Sequence, residues 1–333
     1  MLRVAIIGCG NMAGGHVRAF ERLKDRARVV ATVDMDMERA KAAAAVFDGA
    51  EAVTDYRAVL DEVDAVNLVL PHHLHHPIGM ACLEAGKHVL LEKPMANSER
   101  QCLDLIAAAE RADRVLMVAY CMRYHPLVLK LKELLDAKVC GELFQLSIWT
   151  EQHTQYPPDH WAMDARKLGG GQLFSHGCHY IDLLLWFLGR PVEGTHTGSN
   201  YGTPWMEREG TSHVAIRFEN GALGYHFGTW GAKGTRLGYS FHAHCTEGML
   251  DARISEGRLY KHVGGAEELV AEYEVGKHVG NEIVLFIECV ETGTPPPTDG
   301  PSSLQGLRVI WRLYEAESRR VVADLRGLGI EEA

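Results

Sequence analysis

Short apolar runs alternate with helix-patterned segments through the first third of the chain. The runs that predict strands are Leu2–Ile7, Arg28–Val33, Asp64–Leu70, Lys87–Leu91 and Val115–Ala119. The segments that predict helices are 12–22, 35–47, 77–85 and 98–112. Because strands that alternate with helices of this length build a parallel sheet covered on both faces, the pattern predicts an N-terminal α/β domain, a doubly wound parallel sheet of the Rossmann type.

After Cys121 the pattern shifts towards strands. A helix is predicted near Pro126–Leu135, and another begins at the glycines 169–171 and runs to about Leu188. Further strands are predicted at 142–149, 212–218, 222–230, 237–245, 249–252 and 258–262, and helices at 282–291 and 303–316. The sequence therefore predicts a C-terminal α+β domain on a largely antiparallel open sheet, with a first domain of residues 1–121 and a second of residues 122–333.

A hairpin is expected at Asn220-Gly221, between two of these strands. Asn and Gly tolerate the positive φ angles that a two-residue type I′ turn requires at both central positions. The pair therefore predicts a tight connection and an antiparallel strand pair in the second domain.

The composition is that of an ordinary globular protein with room for two domains. The chain has 333 residues, of which 47% are hydrophobic and 23% are charged, and its formal net charge is −10. Without a long run of Lys and Arg, neither nucleic acid nor an anionic membrane is expected as a partner. The most apolar late stretch, Ile181–Leu188, is far shorter than the ~18 residues that a membrane span requires.

Eight cysteines are scattered along the chain without a C-x-x-C pair, at positions 9, 82, 102, 121, 140, 178, 245 and 289. This spacing predicts neither a disulfide framework nor a zinc site, and it favours reduced thiols in the cytoplasm. The apolar run Val4–Ile7 is too short for the core of a signal peptide, so a cytoplasmic location is expected.

The segment Gly8-Cys9-Gly10-Asn11-Met12-Ala13 follows the first predicted strand and precedes the first predicted helix. It fits the G-x-G-x-x-G/A pattern, in which the first glycine makes the turn and the second lets the backbone approach a pyrophosphate. The small Ala13 lets the helix pack close to the sheet, and amides at the helix N-terminus bind the phosphates. A glycine turn that serves packing alone is the alternative.

Asp34 closes the second predicted strand, about 20 residues beyond the glycine turn, where a ribose-binding carboxylate is expected. A carboxylate there accepts hydrogen bonds from the ribose 2′-hydroxyl and repels a 2′-phosphate, and Asp36 adds to the repulsion. The sequence therefore predicts NAD rather than NADP as the cofactor.

Glu92-Lys93-Pro94 follows the predicted strand 87–91 and so lies at the carboxyl edge of the sheet, where open α/β sheets bind ligands. Pro94 lacks an amide donor and holds the preceding residue extended. A lysine in this place can stabilise an alkoxide or take part in a proton relay. The alternative is a surface lysine paired with Glu92.

Several motifs occur in a shared order and spacing over essentially the whole chain. They are the glycine turn with Met12-Ala13 and His16, Pro71-His72-His73-Leu74-His75 with Pro77, Glu-Ala-Gly-Lys-His at 84–88, Glu92-Lys93-Pro94, Arg123-Tyr124-His125-Pro126, Gly169-Gly170-Gly171, and Gly177-Cys178-His179-Tyr180-Ile181-Asp182. Through these motifs the chain resembles the Gfo/Idh/MocA family of glucose–fructose oxidoreductase, inositol dehydrogenase and their relatives.

The resemblance implies that Lys93 and His179 are catalytic. Histidine suits acid/base work because its unperturbed pKa of about 6.5 lies near neutral pH. His179 would take the proton from a substrate hydroxyl while NAD accepts the hydride from the same carbon, and Lys93 would stabilise the oxyanion. The residues implied in cofactor binding are Gly8, Gly10, Asn11, Met12, Ala13, Asp34, Pro71, His72, His75, Glu92 and Lys93.

The chain departs from the family one helical turn before His179. Many members carry an acidic residue there, whereas this chain has Ser175, which can hydrogen-bond a substrate hydroxyl but cannot act as a general base. His176 shares a helix face with His179 and is a candidate either for a partial catalytic substitute or for packing. Asp182 either orients the imidazole or pairs elsewhere. The residues expected at the substrate are Arg123, His160, Trp161, Ser175, His176 and Asp182.

Two further groups of histidines and aromatic residues invite a functional interpretation. The histidines 72, 73, 75 and 76 crowd one predicted loop, but no Cys, Asp or Glu lies beside them, so a cofactor-crevice loop is favoured and no metal is expected. The segment 153–161 carries His153, Tyr156, His160 and Trp161, whose flat rings suit the C–H faces of a sugar. His242 and His244 alternate on a predicted strand and are expected to face the same side.

Together these features predict an NAD-dependent oxidoreductase that moves a hydride between the nicotinamide and a secondary alcohol of a sugar, sugar derivative or cyclitol. Two alternatives stay open. One is an NAD-retaining glycosidase or epimerase that acts by transient oxidation and elimination, and the other is a non-enzymatic dinucleotide-binding sugar sensor. The resemblance also implies subunit contact through an exposed face of the second sheet, and hence a homodimer or homotetramer.

Overall fold

The chain folds into two compact units in a computed structural model that describes residues 1–330. Unit 1 comprises Met1–Cys121 and His278–Leu304. Unit 2 comprises Met122–Lys277 and the residues that follow from Gln305. The segment 278–304, which the sequence analysis assigned to the second domain, thus lies in unit 1.

The elements follow one another in the following order. The helices are α1 Ala13–Arg22, α2 Met37–Ala44, α3 His72–Glu84, α4 Glu99–Ala112, α5 Pro126–Asp136, α6 Ala165–Leu168, α7 Cys178–Leu188, α8 Val279–Thr292 and α9 Gly300–Arg319. The strands are β1 Leu2–Ile7, β2 Ala27–Val33, β3 Glu51–Val53, β4 Ala65–Leu68, β5 His88–Glu92, β6 Leu116–Ala119, β7 Leu143–Glu151, β8 Pro191–Ser199, β9 Thr211–Phe218, β10 Leu223–Thr229, β11 Tyr239–Cys245, β12 Gly248–Arg253, β13 Arg258–Val263, β14 Ala266–Glu272 and β15 Ala323–Asp324. A π-helical turn, Leu173–Gly177, immediately precedes α7.

Unit 1 is built on a six-stranded parallel sheet in the order β3-β2-β1-β4-β5-β6. Every residue of β4 and β6 is buried, as expected for parallel strands with both faces covered. Helix α1 packs against α8, and α3 packs against α4. The predicted doubly wound Rossmann sheet is confirmed.

The segment 278–304 completes unit 1 at the sheet edge and on α1. The Val118 amide in the edge strand β6 donates to the carbonyl oxygen of Thr298 at 2.9 Å, and the Thr298 hydroxyl donates to the Val118 carbonyl at 2.8 Å. Arg26, just beyond α1, forms ion pairs of 3.1 and 2.7 Å with Glu288 and Glu291 of α8. The bonds to Val118 satisfy edge-strand groups that the sheet itself leaves unpaired, and the ion pairs fix α8 to the end of α1, so the segment belongs to unit 1.

Unit 2 is built on a nine-stranded sheet in the order β14-β13-β12-β11-β7-β10-β9-β8-β15. Its neighbouring strands pair antiparallel except β7 and β10, which are parallel. In β9 buried and exposed residues alternate strictly, so one face is covered and the other is open. This confirms the predicted, largely antiparallel open sheet. No helix within residues 1–330 has the length and apolar character needed to cross a bilayer.

The hairpin between β9 and β10 forms as predicted, but its turn is not of type I′. Only Gly221 has a positive φ, of 85°, and its amide donates to the carbonyl oxygen of Phe218 at 2.9 Å. The Asn220 side chain accepts a hydrogen bond from the Ala222 amide at 3.0 Å. Because this side-chain bond closes the loop, Asn220 does not need the left-handed backbone that the prediction gave it.

Candidate active site

The glycine turn between β1 and α1 leaves space for a ligand. Gly8 has a φ of 95°, and a Cβ there would overlap the carbonyl oxygen of Val69, so only glycine fits. A Cβ at Gly10 would meet no atom within 4 Å. The backbone at Gly10 is therefore open to close approach, next to the exposed Asn11 and Met12 at the N-terminus of α1. This arrangement fits the pyrophosphate of a dinucleotide.

Asp34 lies beside this turn, at the end of β2. The Cys9 amide donates to its Oδ2 at 2.8 Å, and the Asp36 amide donates to its Oδ1 at 2.9 Å. Two amides thus fix the orientation of the carboxylate. Burial and the charge of Asp34 raise the pKa of the Cys9 thiol to about 11, so this cysteine stays protonated at neutral pH. The residues present fit a dinucleotide with a ribose 2′-hydroxyl.

Glu92, the last residue of β5, is a buried carboxylate with its own partners in unit 1. Its Oε1 lies 3.0 Å from Nε2 of His16 in α1, and its Oε2 accepts from the Lys93 amide at 3.1 Å. Burial alone would raise the pKa of Glu92, but the hydrogen bond to His16 and the charge of Lys93 outweigh it and bring the pKa to about 2. The carboxylate therefore holds the turn at Lys93, whose peptide bond to Pro94 is cis.

His75 bridges two loops and is completely buried. Its Nδ1 lies 2.8 Å from the carbonyl oxygen of Pro94, and its Nε2 lies 2.9 Å from that of Leu70. Burial lowers the pKa of His75, and a neutral ring donates through only one of these nitrogens. His75 thus ties the loop after β4 to the turn that follows Lys93. This contact links β4 to β5 and presents no polar atom to a ligand.

The four histidines 72, 73, 75 and 76 lie in the first turns of α3, and not in a loop. The predicted start of this helix was Pro77, but the helix begins at His72, after Pro71, and Pro77 lies inside it. Nε2 of His76 lies 3.5 Å from a carboxylate oxygen of Asp104. No group of three or more His, Cys, Asp or Glu side chains within residues 1–330 is arranged to hold a metal ion.

In unit 2, Ser175 and His176 lie on the π-helical turn and His179 lies in the first turn of α7. Ser175 is 8% exposed and His179 is 5% exposed. The rings of His176 and His179 meet edge to face with centroids 6.3 Å apart. The expectation that these two side chains share one face of the helical segment agrees with this contact.

His176 is part of a hydrogen-bonded chain within unit 2. The side-chain amide of Gln172 donates to its Nδ1 at 3.3 Å, and its Nε2 lies 3.3 Å from the hydroxyl of Tyr239. The Tyr239 hydroxyl in turn donates to the side-chain oxygen of Gln152. This order of donors assigns a neutral His176 with its proton on Nε2.

Arg123 and Asp182 form an ion pair with each other. The guanidinium Nε and one terminal nitrogen donate to the two carboxylate oxygens at 2.7 and 3.0 Å, and the residues are only 4% and 1% exposed. The guanidinium also lies over the ring of Trp186, 5.0 Å from its centroid. Of the two alternatives for Asp182, pairing elsewhere is the one the structure adopts. Both charges, expected at the substrate, are balanced inside the fold.

The aromatic loop expected over a sugar has an internal packing role. His160 stacks on Tyr156 with centroids 4.5 Å apart, and its Nδ1 accepts from the Ala162 amide at the start of a short 3-10 helix. Trp161 and Tyr156 pack against a small core that includes Trp230. Burial lowers the pKa of His160. These contacts order the loop.

Sequence reasoning missed the side chains that hold the helical segment around His179. They are Gln172, Glu209, Tyr239 and Tyr314. It also missed Glu282 of α8, a completely buried carboxyl in unit 1. None of these five lies in a motif with a recognisable spacing. A charged residue inside the apolar pattern of α8 was the only available signal, and it concerned Glu282 alone.

Sequence comparisons assign both halves of the chain. Residues 2–120 match the oxidoreductase family with an NAD-binding Rossmann fold, and residues 128–251 match the GFO/IDH/MocA C-terminal domain. The chain belongs to the GFO/IDH/MocA oxidoreductase family. The predicted resemblance and the NAD-binding Rossmann domain are thereby confirmed.

Members of the family with known names align over much of the chain. Inositol 2-dehydrogenase 2 of Saccharopolyspora erythraea is 33% identical over 227 residues, which cover 67% of this chain and 65% of that protein. Levoglucosan dehydrogenase of Pseudarthrobacter phenanthrenivorans is 26% identical over 287 residues, which cover 75% of this chain and 73% of that protein. The alignment with the inositol dehydrogenase thus spans slightly less than two thirds of that enzyme.

Solved structures share the fold over nearly all of the chain. The aldose-aldose oxidoreductase of Caulobacter crescentus complexed with glycerol has a TM-score of 0.87 at 24% identity and covers 97% of this chain and 99% of its own. Levoglucosan dehydrogenase in complex with NADH has a TM-score of 0.88 at 22% identity, with coverage of 97% and 99%. At these identities the likeness establishes the fold.

Proposed function

We propose that the protein catalyses the NAD-dependent oxidation of a secondary alcohol on a sugar, sugar derivative or cyclitol, or the reverse reduction. The observation that carries the proposal is the 33% identity to an inositol 2-dehydrogenase over two thirds of the chain. The 26% identity to a levoglucosan dehydrogenase, which acts on a sugar derivative by its name, supports the same class. The open backbone at Gly10 and the fixed carboxylate of Asp34 supply the features that NAD requires.

When bound, NAD would supply the acceptor for the hydride of the carbinol carbon, with the residues around Gly10 and Asp34 holding it. His179 takes the proton from the hydroxyl on that carbon, so a ketone, NADH and one proton result. Lys93 stabilises the negative charge that develops on the oxygen. Glu92, held by His16, orients the backbone of Lys93 through its amide, and His75 supports the following turn.

Ser175 and His176 form the part of the proposed site that departs from the family pattern. Ser175 offers a hydroxyl to a substrate hydroxyl in the position where many members carry an acid. His176, held between Gln172 and Tyr239, orients its Nε2 proton along that hydrogen-bonded chain. Ser175 cannot act as a base, and Nδ1 of His176 is occupied by the side-chain amide of Gln172, so we assign the general base to His179 alone.

The test is turnover of a panel of cyclitols, sugars and glycosides with NAD, with myo-inositol and levoglucosan included. The proposal expects NADH absorbance to rise with at least one polyol in proportion to ketone formed. Cleavage of a glycoside without net NADH would identify a redox-neutral glycosidase instead. Binding of NAD without turnover of any compound would identify a sensor.

We also propose a homodimer or homotetramer in the cytoplasm. On the open face of the unit 2 sheet, the ring of Trp149 packs against Phe227 and Tyr225 with centroids 5.1 and 5.7 Å away, which forms a partly exposed aromatic patch that suits subunit contact. Cysteines that are scattered and mostly buried support a reducing compartment. A monomer at micromolar concentration in sedimentation experiments, or recovery of the native protein outside the cytoplasm, would contradict these assignments.

A further inference from the structure

One hydrogen-bond network fixes the start of the helical segment that carries His179, which consists of the π-helical turn Leu173–Gly177 and α7. The hydroxyl of Tyr314 in α9 accepts from the amides of Gly171 and Phe174, each at 3.2 Å. It donates to Oε1 of Glu209 at 2.5 Å, and the same oxygen accepts from the Leu173 amide at 3.3 Å. A single tyrosine–carboxylate pair thus binds three amides of one helical turn.

The fourth amide of this turn is bound by the same pair. The Gln172 amide donates to the backbone carbonyl of Glu209 at 2.7 Å. The first four amides of a helix have no partner within the helix, and here the segment has no side-chain cap at its N-cap residue. Tyr314 and Glu209 therefore take the place of a local cap, although they come from distant parts of the chain.

Two glycines allow this close approach. A Cβ at Gly171 would overlap the carboxylate and the carbonyl oxygen of Glu209, and a Cβ at Gly170 would overlap the ring of Phe174. The glycines that the sequence analysis took only as a helix start thus have a packing reason. They let Glu209 lie directly against the first turn.

Helix α9 also follows the segment along its length. Near its start, a Cβ at Gly306 would lie 3.6 Å from the backbone of Asp182 in α7. Further along, the ring of Trp311 lies 6.2 Å from that of Phe174. These are apolar or backbone contacts. The hydrogen bonds of Tyr314 add directional contacts between α9 and the segment. Burial raises the pKa of both Tyr314 and Glu209, and the tyrosine accordingly keeps the proton that it donates.

We infer that Tyr314 and Glu209 form a clamp that sets the position of Ser175, His176 and His179, and that both are positioning residues for proton transfer. The inference rests on the proposed role of His179 as the base. Catalysis is sensitive to such positioning, because a displacement of about 1 Å can cost roughly 10²-fold in rate. The clamp acts through backbone amides and touches no reacting atom.

The test compares Tyr314→Phe and Glu209→Ala with the rescue variant Glu209→Gln, whose amide oxygen still accepts from Tyr314. The two disruptive variants are expected to lower kcat about 10-fold or more with KM changed by less than about threefold, since they displace a base rather than remove a binding group. Glu209→Gln is expected to recover most of the rate. Ile310→Val, a buried change on α9 that removes one methyl group and no hydrogen bond, is the control for general loss of stability.

A second readout needs no substrate. Amide hydrogen exchange in the peptide 171–178 is expected to rise about 10-fold in Tyr314→Phe and Glu209→Ala, and to stay at the wild-type rate in Ile310→Val. Because the two disruptive variants remove different halves of the network, failure of one to fold leaves the other as a complete test.

His179→Ala, assayed beside them, separates the two hypotheses. If His179→Ala keeps the wild-type rate, the assignment of His179 as the base fails whatever the clamp does. The absence of NADH formation with every compound of the panel would instead contradict the proposed function itself. If His179→Ala is inactive while Tyr314→Phe and Glu209→Ala keep both their kcat and their exchange rates, the clamp is overturned. An equal loss of kcat in Ile310→Val would also overturn it, since general destabilisation would then explain the effect.

Discussion

Glu92 and Glu282, two buried carboxyl groups of unit 1, are held in opposite protonation states. Glu92 has His16 as a partner and a pKa of about 2, so it is ionised. Glu282 is 0% exposed and neither of its oxygens has a hydrogen-bond partner among the described residues. Burial, and then the charge of Glu92, raise its pKa well above 4.5. Because one group is ionised and the other is protonated in the folded protein, the two groups make the free energy of unfolding depend on pH in opposite directions.

For Glu282 the folded state holds a proton that the unfolded state releases above pH 4.5. Stability therefore falls as pH rises above that value, by roughly 1.4 kcal/mol per pH unit until the folded pKa is reached. Glu282→Gln, which cannot ionise, is expected to be more stable than wild type at pH 7 and equal to it near pH 4. Urea unfolding at both pH values checks this, with the exposed Glu84→Gln as control. Equal unfolding curves for Glu282→Gln and wild type at pH 7 would show that Glu282 is not protonated in the folded state.

For Glu92 the sign is reversed. Its folded pKa of about 2 lies below the unfolded value of 4.5, so its contribution is present above pH 4.5 and is lost as pH falls towards 2. His16→Ala removes a hydrogen bond to a buried charge and is expected to cost about 1.5–3 kcal/mol at pH 7. A double-mutant cycle with Glu92→Gln measures the coupling. A coupling near zero would contradict the buried pair.

Lys93→Ala and His179→Ala are each expected to lower kcat by roughly 10²-fold or more, because each removes charge stabilisation or proton transfer in the transition state. Steady-state NADH formation with the polyol identified by the panel is the measurement. Lys41→Ala, a surface lysine of α2, is the matched control. Rates close to wild type on the true substrate would take the residue concerned out of the mechanism.

Asp34→Ala is expected to raise the KM for NAD about 10-fold or more, since it removes a charged acceptor of hydrogen bonds that the ribose hydroxyls donate. The same change removes the repulsion of a 2′-phosphate, so the preference for NAD over NADP should narrow. Asp36→Asn keeps a side-chain oxygen at the N-terminus of α2, removes one charge and should have the smaller effect. An unchanged cofactor preference in Asp34→Ala would contradict the assignment.

Arg123→Ala and Asp182→Ala are each expected to cost roughly 3–5 kcal/mol of stability, because each leaves a buried charge without its partner. The double change Arg123→Met with Asp182→Leu should recover most of that loss. Denaturant unfolding of the three variants gives the comparison. If the double variant recovers its stability but has a strongly raised KM for the substrate, Arg123 and Asp182 also take part in substrate binding, as was expected from the sequence.

Local patterns were enough to predict five of the six strands of the Rossmann sheet, and the short edge strand β3 was missed. The five predicted strands are short apolar runs, and each of β1, β2, β4, β5 and β6 was found within three residues of its predicted bounds. The strand β14 was missed because its residues are largely exposed and polar, so no alternation marks it. Helix α3 was started too late because Pro77 was taken as its first residue, whereas the structure places it inside the helix, beyond the first turn in which proline is usually tolerated.

Local sequence rules point to residues of the candidate site only where these lie next to a strand end or a glycine turn. Gly8, Asp34 and Lys93 follow such local rules. The pairing of Arg123 with Asp182 spans 59 positions, and that of Glu209 with Tyr314 spans 105, so no local spacing could reveal either. Long-range partners of this kind depend on how distant elements pack, which periodicity does not encode.

The return of 278–304 to unit 1 has a consequence for synthesis of the chain. A nascent chain that ends at Cys121 has all six parallel strands but lacks α8, which covers α1, and lacks Thr298, which closes the edge at β6. Domains generally fold from the N-terminus as they leave the ribosome. Here the cofactor-binding unit can be completed only when nearly the entire polypeptide has emerged, because the part of α1 that α8 covers lacks its partner until then.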